Sequence, residues 1–555
     1  MAEPQALAAQ LKAEGNALFL KKDYKLAHAR YTQAIKEDGN NAILYANRAA
    51  CCLGLQKFLD AATDAKKATE IDATYAKGWA RLAVAQGNLG SIQRSIDAWK
   101  KAIAALSDNA GSIAEQKQLK EYQAELKAAE ERLQHAECRV IPTIPISSAR
   151  GHTPWQRGLA MEKEIVAKYN QDPSGRYRSS AMVIVQAYVE WKSGLDKMNS
   201  LKRIGGRSHS GQMMMGSTGG IEGFSNAILR DDRVFHLSQN DWVARYNDQV
   251  TLEALQTGAW TEGGPELIKT EAIKRQRTQG WNSVRRAITT TIRSYIMRGF
   301  MEATVKNNHS AGVEFIGRAL EILRWGCETW KDVAQDDKGA IFQESFVRGV
   351  HALYIEIYMK ACIDSNDTDH FSLETLLNEA EELLDHCDKH VMSPMTALDH
   401  GFALSFGSYP KGKGYSMIGF YHARTAAKLF TQPQYDAEAI LQHYKDAAEA
   451  YLTAARYHPE DDELYIWFLA CAIQNFFLAG TPIRTILPLM AKLRLAMPDV
   501  LKIWEFSSLM QGGRAAFTST LEVEEDILAG LKTGQFTLDS EVVPEPMKRL
   551  VPVRK

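Results

Sequence analysis

The sequence predicts an all-α chain: an N-terminal solenoid of paired helices closed by a capping helix, then a larger, irregular helical domain that partly repeats the same pattern. Three observations carry that reading. Residues 8 to 109 are internally repetitive, with Leu11, Tyr45 and Trp79 falling 34 apart, a period that belongs to stacked helix pairs. Beyond residue 265, apolar side chains recur at three- and four-residue spacing with few alternating stretches, the mark of helices rather than strands. The 555 residues include only 16 prolines and are 45% hydrophobic and 24% charged, a globular balance rather than a disordered or rod-like one.

Small residues justify the helix pairing. Gly15, Ala49 and Ala83 share one register position, Ala27, Ala61 and Ser95 the next, and Ala34, Ala68 and Ala102 a third. Helices approach closely where such side chains stand, so these are packing positions, and three copies are the fewest that bury a continuous core. The pattern resembles the tetratricopeptide repeat. Gly39 and Ala73 stand where that family closes a repeat with proline, which weakens the turn signal without touching the polar positions. Residues 113 to 139, rich in Ala, Glu, Lys and Leu at helical spacing, read as the capping helix over the last apolar face. Residues 8–139 thus form the first domain.

Function in such a unit lies on polar residues that packing does not require. Lys12 and Asn16 are four apart on the first helix of the first repeat, and Lys77 and Arg81 are four apart on the first helix of the third, so each pair shares one helix face. Asn47 stands between them in the second repeat. In the segments LKAEGN, LYANR and AKGWAR these five match, one by one, the two-carboxylate clamp of co-chaperone tetratricopeptide domains. The resemblance implies a peptide-binding site for the C-terminal Glu-Glu-Val-Asp (EEVD) tail of Hsp70 or Hsp90. The chemistry is sound without the family: a chain ending in Asp offers two carboxylates, lysine supplies point charge, arginine a planar fork and asparagine a neutral donor. Each charge-assisted bond contributes about 1.5–3 kcal/mol.

Residues 140–158, with Pro142, Pro145 and Pro154, read as a linker. Residues 159–222 read as a helical segment ending in a glycine- and methionine-rich loop. Seven glycines lie from Gly205 to Gly223, Met213 to Met215 read as flexible loop, and GSTGG lacks the Lys-Ser or Lys-Thr of a phosphate-binding loop. Residues 223–545 read as a helical domain similar to tetratricopeptide repeats, with Ala447, Tyr451, Ala454 and Pro459 in repeat-like places and a weaker copy at 313–326. Asp461 and Asp462 suit the start of the next helix. The stretch 200–265 fits no element, and 546–555 reads as a basic tail.

With 66 basic and 67 acidic residues the net charge is -1, which excludes a chain that coats nucleic acid or an acidic membrane over its whole surface. Two local runs stand out. Lys269 to Arg298 carries eight basic residues against Glu271 alone, and Asp364 to Asp388 carries nine acidic residues and no Lys or Arg. Without an aromatic-basic motif both read as solvated helix faces, so a nucleic-acid partner is not expected. His386 and His390 in HCDKH lie one turn apart, but Cys387 stands where HExxH has Glu and no second ligand cluster is visible, so no metal is expected. No catalytic motif or cofactor fingerprint is found, so the chain reads as a non-enzyme.

Seven cysteines without a CxxC pair, an N-terminus without the apolar core of a secretory signal, and an apolar run at 464–480 too short to span a bilayer give a cytoplasmic expectation without membrane. The function expected is a co-chaperone or adaptor, with the clamp on a chaperone tail and the helical body on a client or second protein. Two alternatives stay open: an enzyme with an unrecognised C-terminal domain, and a scaffold for another carboxylate-ending peptide.

Overall fold

The computed structural model describes residues 2–107, 112–137, 151–172, 177–204, 213–364, 370–392 and 400–550. Residues 140–150 of the linker, 205–212 of the glycine-rich stretch, Asp367 and Asp369 of the acidic run, Cys138 and 551–555 of the tail lie outside them. In chain order the helices begin with α1 (Ala2–Leu20), α2 (Tyr24–Glu37), α3 (Ala42–Gly54), α4 (Phe58–Ile71), α5 (Ala76–Asn88), α6 (Ile92–Ser107) and α7 (Ile113–Glu137). Then come α8 (Pro154–Ala160), α9 (Glu162–Gln171), α10 (Ser180–Asn199), α11 (Gly220–Arg230), α12 (Trp242–Thr257), α13 (Pro265–Gln279), α14 (Trp281–Thr304), α15 (His309–Thr329) and α16 (Gln335–Lys338). The series closes with α17 (Glu344–Asp364), α18 (Leu373–Lys389), α19 (His400–Ala403), α20 (Tyr409–Phe430), α21 (Ala437–Arg456), α22 (Glu463–Leu478), α23 (Ile483–Trp504) and α24 (Ser508–Thr533). Strands β1 (Lys202–Ile204) and β2 (Met213–Met215) form a two-stranded sheet. The chain divides into two compact units, each made of two separate segments: Met1–Pro142 with Val250–Phe342, and Thr143–Gln249 with Gln343–Lys555.

In the first unit α1/α2, α3/α4 and α5/α6 pack as pairs. Ala27, Ala34, Ala49, Ala61, Ala68, Ala83 and Ala102 are all fully buried, and a Cβ on Gly15 would come within 2.7 Å of the Tyr31 ring. Asp23 caps α2 by accepting from the Leu26 N–H at 3.1 Å, and Asn41 caps α3 through the Ile43 N–H at 3.2 Å. The turn inside each pair needs a left-handed residue, and the three repeats meet that need at equivalent places: Lys22 at φ 61°, Gln56 at φ 57° and Gly90 at φ 71°. Only the third uses the residue that adopts this conformation without strain. Helix α7 lies on α6, burying Tyr122 and Ala129 with Trp99 and Ala102.

Residues 250–342, which the sequence groups with the C-terminal helices, pack instead on the repeats. Helix termini make the junction. Lys57 gives α4 no side-chain cap, and Glu314 of α15 accepts the Leu59 N–H at 3.0 Å in its place. Gly264 has no side chain with which to cap α13, so Asp60 of α4 accepts the Glu266 N–H at 3.2 Å and the Thr63 hydroxyl accepts the Gly264 N–H at 2.7 Å. A buried helix start needs acceptors for its free N–H groups, and each segment supplies the other's. Arg94 pairs with Glu262 at 2.6 Å, and Arg298 donates to the Ser91 hydroxyl at 2.5 Å. The solvated-face reading of 269–298 therefore needs correction at its end: Arg293 is 4% exposed, and the Arg298 guanidinium lies 4.7 Å from the Phe315 ring centre. Packing of this segment against the repeats is the cause.

The second unit has an aromatic core in which Trp242 stacks on Trp191 at 5.7 Å and on Tyr246 at 5.3 Å. Met213–Met215 corrects the flexible-loop expectation: it pairs antiparallel with Lys202–Ile204, Ile204 opposite Met213 and Lys202 opposite Met215. Backbone pairing holds these two strands, since Lys202, Arg203 and Ile204 are exposed and Met215 is 60% exposed, which leaves no burial pattern to read. The linker also ends earlier than residue 158. Pro154 opens α8 at its first turn, where its missing N–H costs nothing, and Trp155 is buried against Tyr188 and His236.

Helices α21 and α22 form the expected repeat-like pair, with Ala447 and Ala454 fully buried. The apolar run 464–480 is α22 in the core of this unit, and no helix among the described residues is long and apolar enough to cross a membrane. Asp462 caps α22 through the Leu464 N–H at 2.9 Å and also takes the Tyr409 hydroxyl at 2.5 Å and the Arg233 guanidinium at 2.7 Å. Asp461, its neighbour, instead accepts the Ser180 N–H at 2.7 Å at the start of α10. At the chain end, Met547 packs on Ala426, Ile440, Tyr444 and Leu478, so the tail begins against the body.

Candidate functional site

The first helices of the three repeats, α1, α3 and α5, carry the five residues singled out in the sequence. Asn16 and Asn47 meet directly: the Asn47 amide donates to Asn16 Oδ1 at 3.3 Å. The Tyr31 hydroxyl donates to the same oxygen at 2.7 Å. With Oδ1 held by two donors, the Asn16 amide NH2 is left to donate outward. Lys12 stands one turn before Asn16 on α1, and Lys77 one turn before Arg81 on α5. Neither lysine has a hydrogen-bond or ion-pair partner among the described residues.

Arg81 is the electrostatic centre. Its Nε is enclosed and has no hydrogen-bond partner. Burial lowers its pKa, and the groups acting against that are Tyr75, Tyr122, Cys51 and Tyr31. Burial pushes the Tyr31 phenol and the Cys51 thiol each up to about 12, and raises Tyr75 and Tyr122, so all four are neutral at pH 7. The guanidinium thus sits half-buried among uncharged groups without a carboxylate. Arg48, on the neighbouring α3, shows the opposite outcome: it forks onto Asp64 at 2.7 and 2.8 Å and reaches Thr32 at 3.2 Å. A cation so placed, with Lys77 one turn before it on the same helix, has unused capacity for an anion with several oxygens.

Sequence reasoning missed Tyr31 and Tyr122. Tyr31 orients Asn16 from the second helix of its repeat, and Tyr122 approaches Arg81 from the capping helix, its hydroxyl accepting from Gln118 at 2.7 Å. Neither lies at helical spacing from the residue it serves, so periodicity could not find them. At HCDKH, the structure adds a third group absent from the sequence reading: Glu344 of α17 lies 2.6 Å from His386 Nε2, with His390 alongside. Cys387 stays out of this cluster, buried, with its thiol pushed up to about 11 by burial.

No family model matches the chain. Over 104 residues it is 43% identical to the heat shock protein sti1 homolog of Schizosaccharomyces pombe, covering 19% of this chain and 18% of that protein. Over 109 residues it is 42% identical to small glutamine-rich tetratricopeptide repeat-containing protein 2 of Saccharomyces cerevisiae, covering 20% and 32%. Over 105 residues it is 38% identical to the heat-shock protein cognate (HSC) co-chaperone sgt12 of Aspergillus fumigatus, covering 19% and 30%. The chain thus spans less than a third of the length of these curated relatives. The N-terminal region is similar to tetratricopeptide-repeat co-chaperones, and the resemblance drawn from its repeats and polar positions holds there.

Proposed function

We propose that this chain is a cytoplasmic co-chaperone or adaptor whose groove of Lys12, Asn16, Asn47, Lys77 and Arg81 binds the EEVD tail of Hsp90, Hsp70 or both, while its C-terminal helices engage a client or second protein. The observation that carries the reading is the half-buried Arg81 guanidinium, its Nε enclosed and without a hydrogen-bond partner, among neutral tyrosines. Two carboxylates at one chain end supply the missing counter-charge; the Asn16 and Asn47 amides fix their orientation, and Lys12 and Lys77 add charge from both sides. The similarity of the N-terminal region to the sti1 homolog, the small glutamine-rich tetratricopeptide repeat-containing protein 2 and the co-chaperone sgt12 supports it. A tail that orders on binding gives moderate affinity, about micromolar, that weakens as salt screens the groove.

The test is fluorescence-anisotropy titration of the full chain with Hsp70-type and Hsp90-type tail peptides, each beside its C-terminally amidated form, repeated on Lys77→Ala/Arg81→Ala. Saturable binding that disappears on amidation and in the double variant is expected. Equal binding of free-acid and amidated peptides would remove the clamp; binding of unrelated carboxylate-ending peptides as tightly as EEVD would make the groove a general scaffold.

A further inference from the structure

We propose that His422, His443 and Asp446 form a binding site for a zinc-class divalent cation that clamps α20 to α21. The two helices pack against each other, and the three side chains converge from both: His422 from α20, His443 and Asp446 from successive turns of α21. One ligand atom from each lies within 4.8 Å of the others. His422 Nδ1 is 2.9 Å from His443 Nδ1, and 4.0 Å from Asp446 Oδ2. Imidazole nitrogen and carboxylate oxygen are the donors that zinc-class ions take, and two histidines with one carboxylate leave a fourth position for water or another ligand.

Three features distinguish this from a chance histidine pair. Two Nδ1 atoms at 2.9 Å have room for only one proton between them, so at least one ring directs a lone pair at the other. A divalent ion uses both lone pairs at once; ligands about 2.0–2.1 Å from a tetrahedral ion stand about 3.3 Å apart, close to the spacing found. The carboxylate is already oriented, since Gln442 Nε2 donates to Asp446 Oδ1 at 2.7 Å and leaves Oδ2 toward His422. Such outer hydrogen bonds are what hold metal-binding carboxylates in place. Finally, the side chains are half-buried, His422 at 22% and Asp446 at 35% exposure, sheltered yet reachable from solvent. At Glu344, His386 and His390 the carboxylate already takes a direct 2.6 Å contact from His386 and lies on the exposed surface, which makes that cluster the internal comparison.

The experiment uses the full chain, freed of metal with a chelator. Zinc is titrated by calorimetry, and Co2+ by its visible absorption, whose intensity reports tetrahedral nitrogen-oxygen coordination. Expected are one zinc equivalent lost in His443→Gln and weakened at least 100-fold in Asp446→Asn, a roughly 10-fold loss in Gln442→Ala, and unchanged binding in His386→Gln. Far-UV circular dichroism confirms that the variants fold. Unchanged zinc affinity in both folded His443→Gln and Asp446→Asn, loss in His386→Gln instead, or no zinc binding by the unaltered chain would each overturn the site.

Discussion

Arg48 and Arg81 stand on neighbouring first helices of the repeats, and their environments assign them opposite tasks. Arg48→Ala strands Asp64, whose side chain is 8% exposed, and is expected to lower stability by about 2–3 kcal/mol in urea unfolding. Arg81→Ala removes a cation with no partner and is expected to leave the urea midpoint nearly unchanged while abolishing tail-peptide binding; a midpoint shift as large as that of Arg48→Ala would make Arg81 structural. The sequence singles out Arg81 by its spacing from Lys77, but nothing in it tells that Arg48 has a carboxylate 16 residues away while Arg81 has none. The left-handed turn residues make the same point. Lys22→Gly and Gln56→Gly are expected to be neutral or stabilising by up to about 1 kcal/mol. Gly90→Ala is expected to destabilise by more, because a Cβ is strained at this positive φ and would also press on the buried Glu302 carboxylate. Thermal melts of the three variants decide this.

At the scale of elements, the first unit is held by capping in trans. Glu314 accepts the α4 N–H that Lys57 leaves open, and Arg318 holds Glu314 from one turn further along α15 at 3.2 Å. Glu314→Ala removes the cap and one partner of Arg318, and a loss of about 1–3 kcal/mol is expected in chemical unfolding of the full chain, with Glu314→Gln recovering part of it. No loss in Glu314→Ala would mean that the contact is incidental. The helices themselves were legible, because 3.6-residue periodicity and the small residues at 34-residue spacing are local signals. Their partners were not: a capping carboxylate 255 residues from its N–H leaves no mark on either segment.

The whole molecule carries carboxyls whose burial ties stability to pH. Burial pushes Asp60 up to about 7 in the first unit, and Glu463 up to about 7 and Asp461 up to about 6 in the second. Each of these binds its proton more tightly folded than unfolded, so its contribution is full below about pH 4 and is lost as pH rises through 6 to 7. Asp462 has the opposite sign. Burial opposes its charge, but Arg233 holds the carboxyl well below the usual range, and that stability is lost only as pH falls below about 4. Burial lowers His28, His236 and His458 and makes stability rise with pH over the same range, so the two sets oppose each other, and Asp60→Asn with Glu463→Gln is expected to turn the pH 5 to pH 8 slope of melting temperature in the rising direction. An unaltered slope in the double variant would place the pH dependence elsewhere.

The sequence by itself determined the helical class and the three repeats, and it singled out five polar positions that packing does not require, because repetition, periodicity and residue chemistry are written along the chain. Only the tertiary structure decided that 250–342 belongs with the repeats, that Met213–Met215 is a strand, that Arg81 lacks a counter-ion while Arg48 has one, and that two histidines and an aspartate converge between α20 and α21. Each of these depends on which groups far apart in sequence satisfy one another's charge, lone pairs or open N–H groups. Such pairing is settled by packing, since a buried polar group takes whichever partner the fold brings within reach.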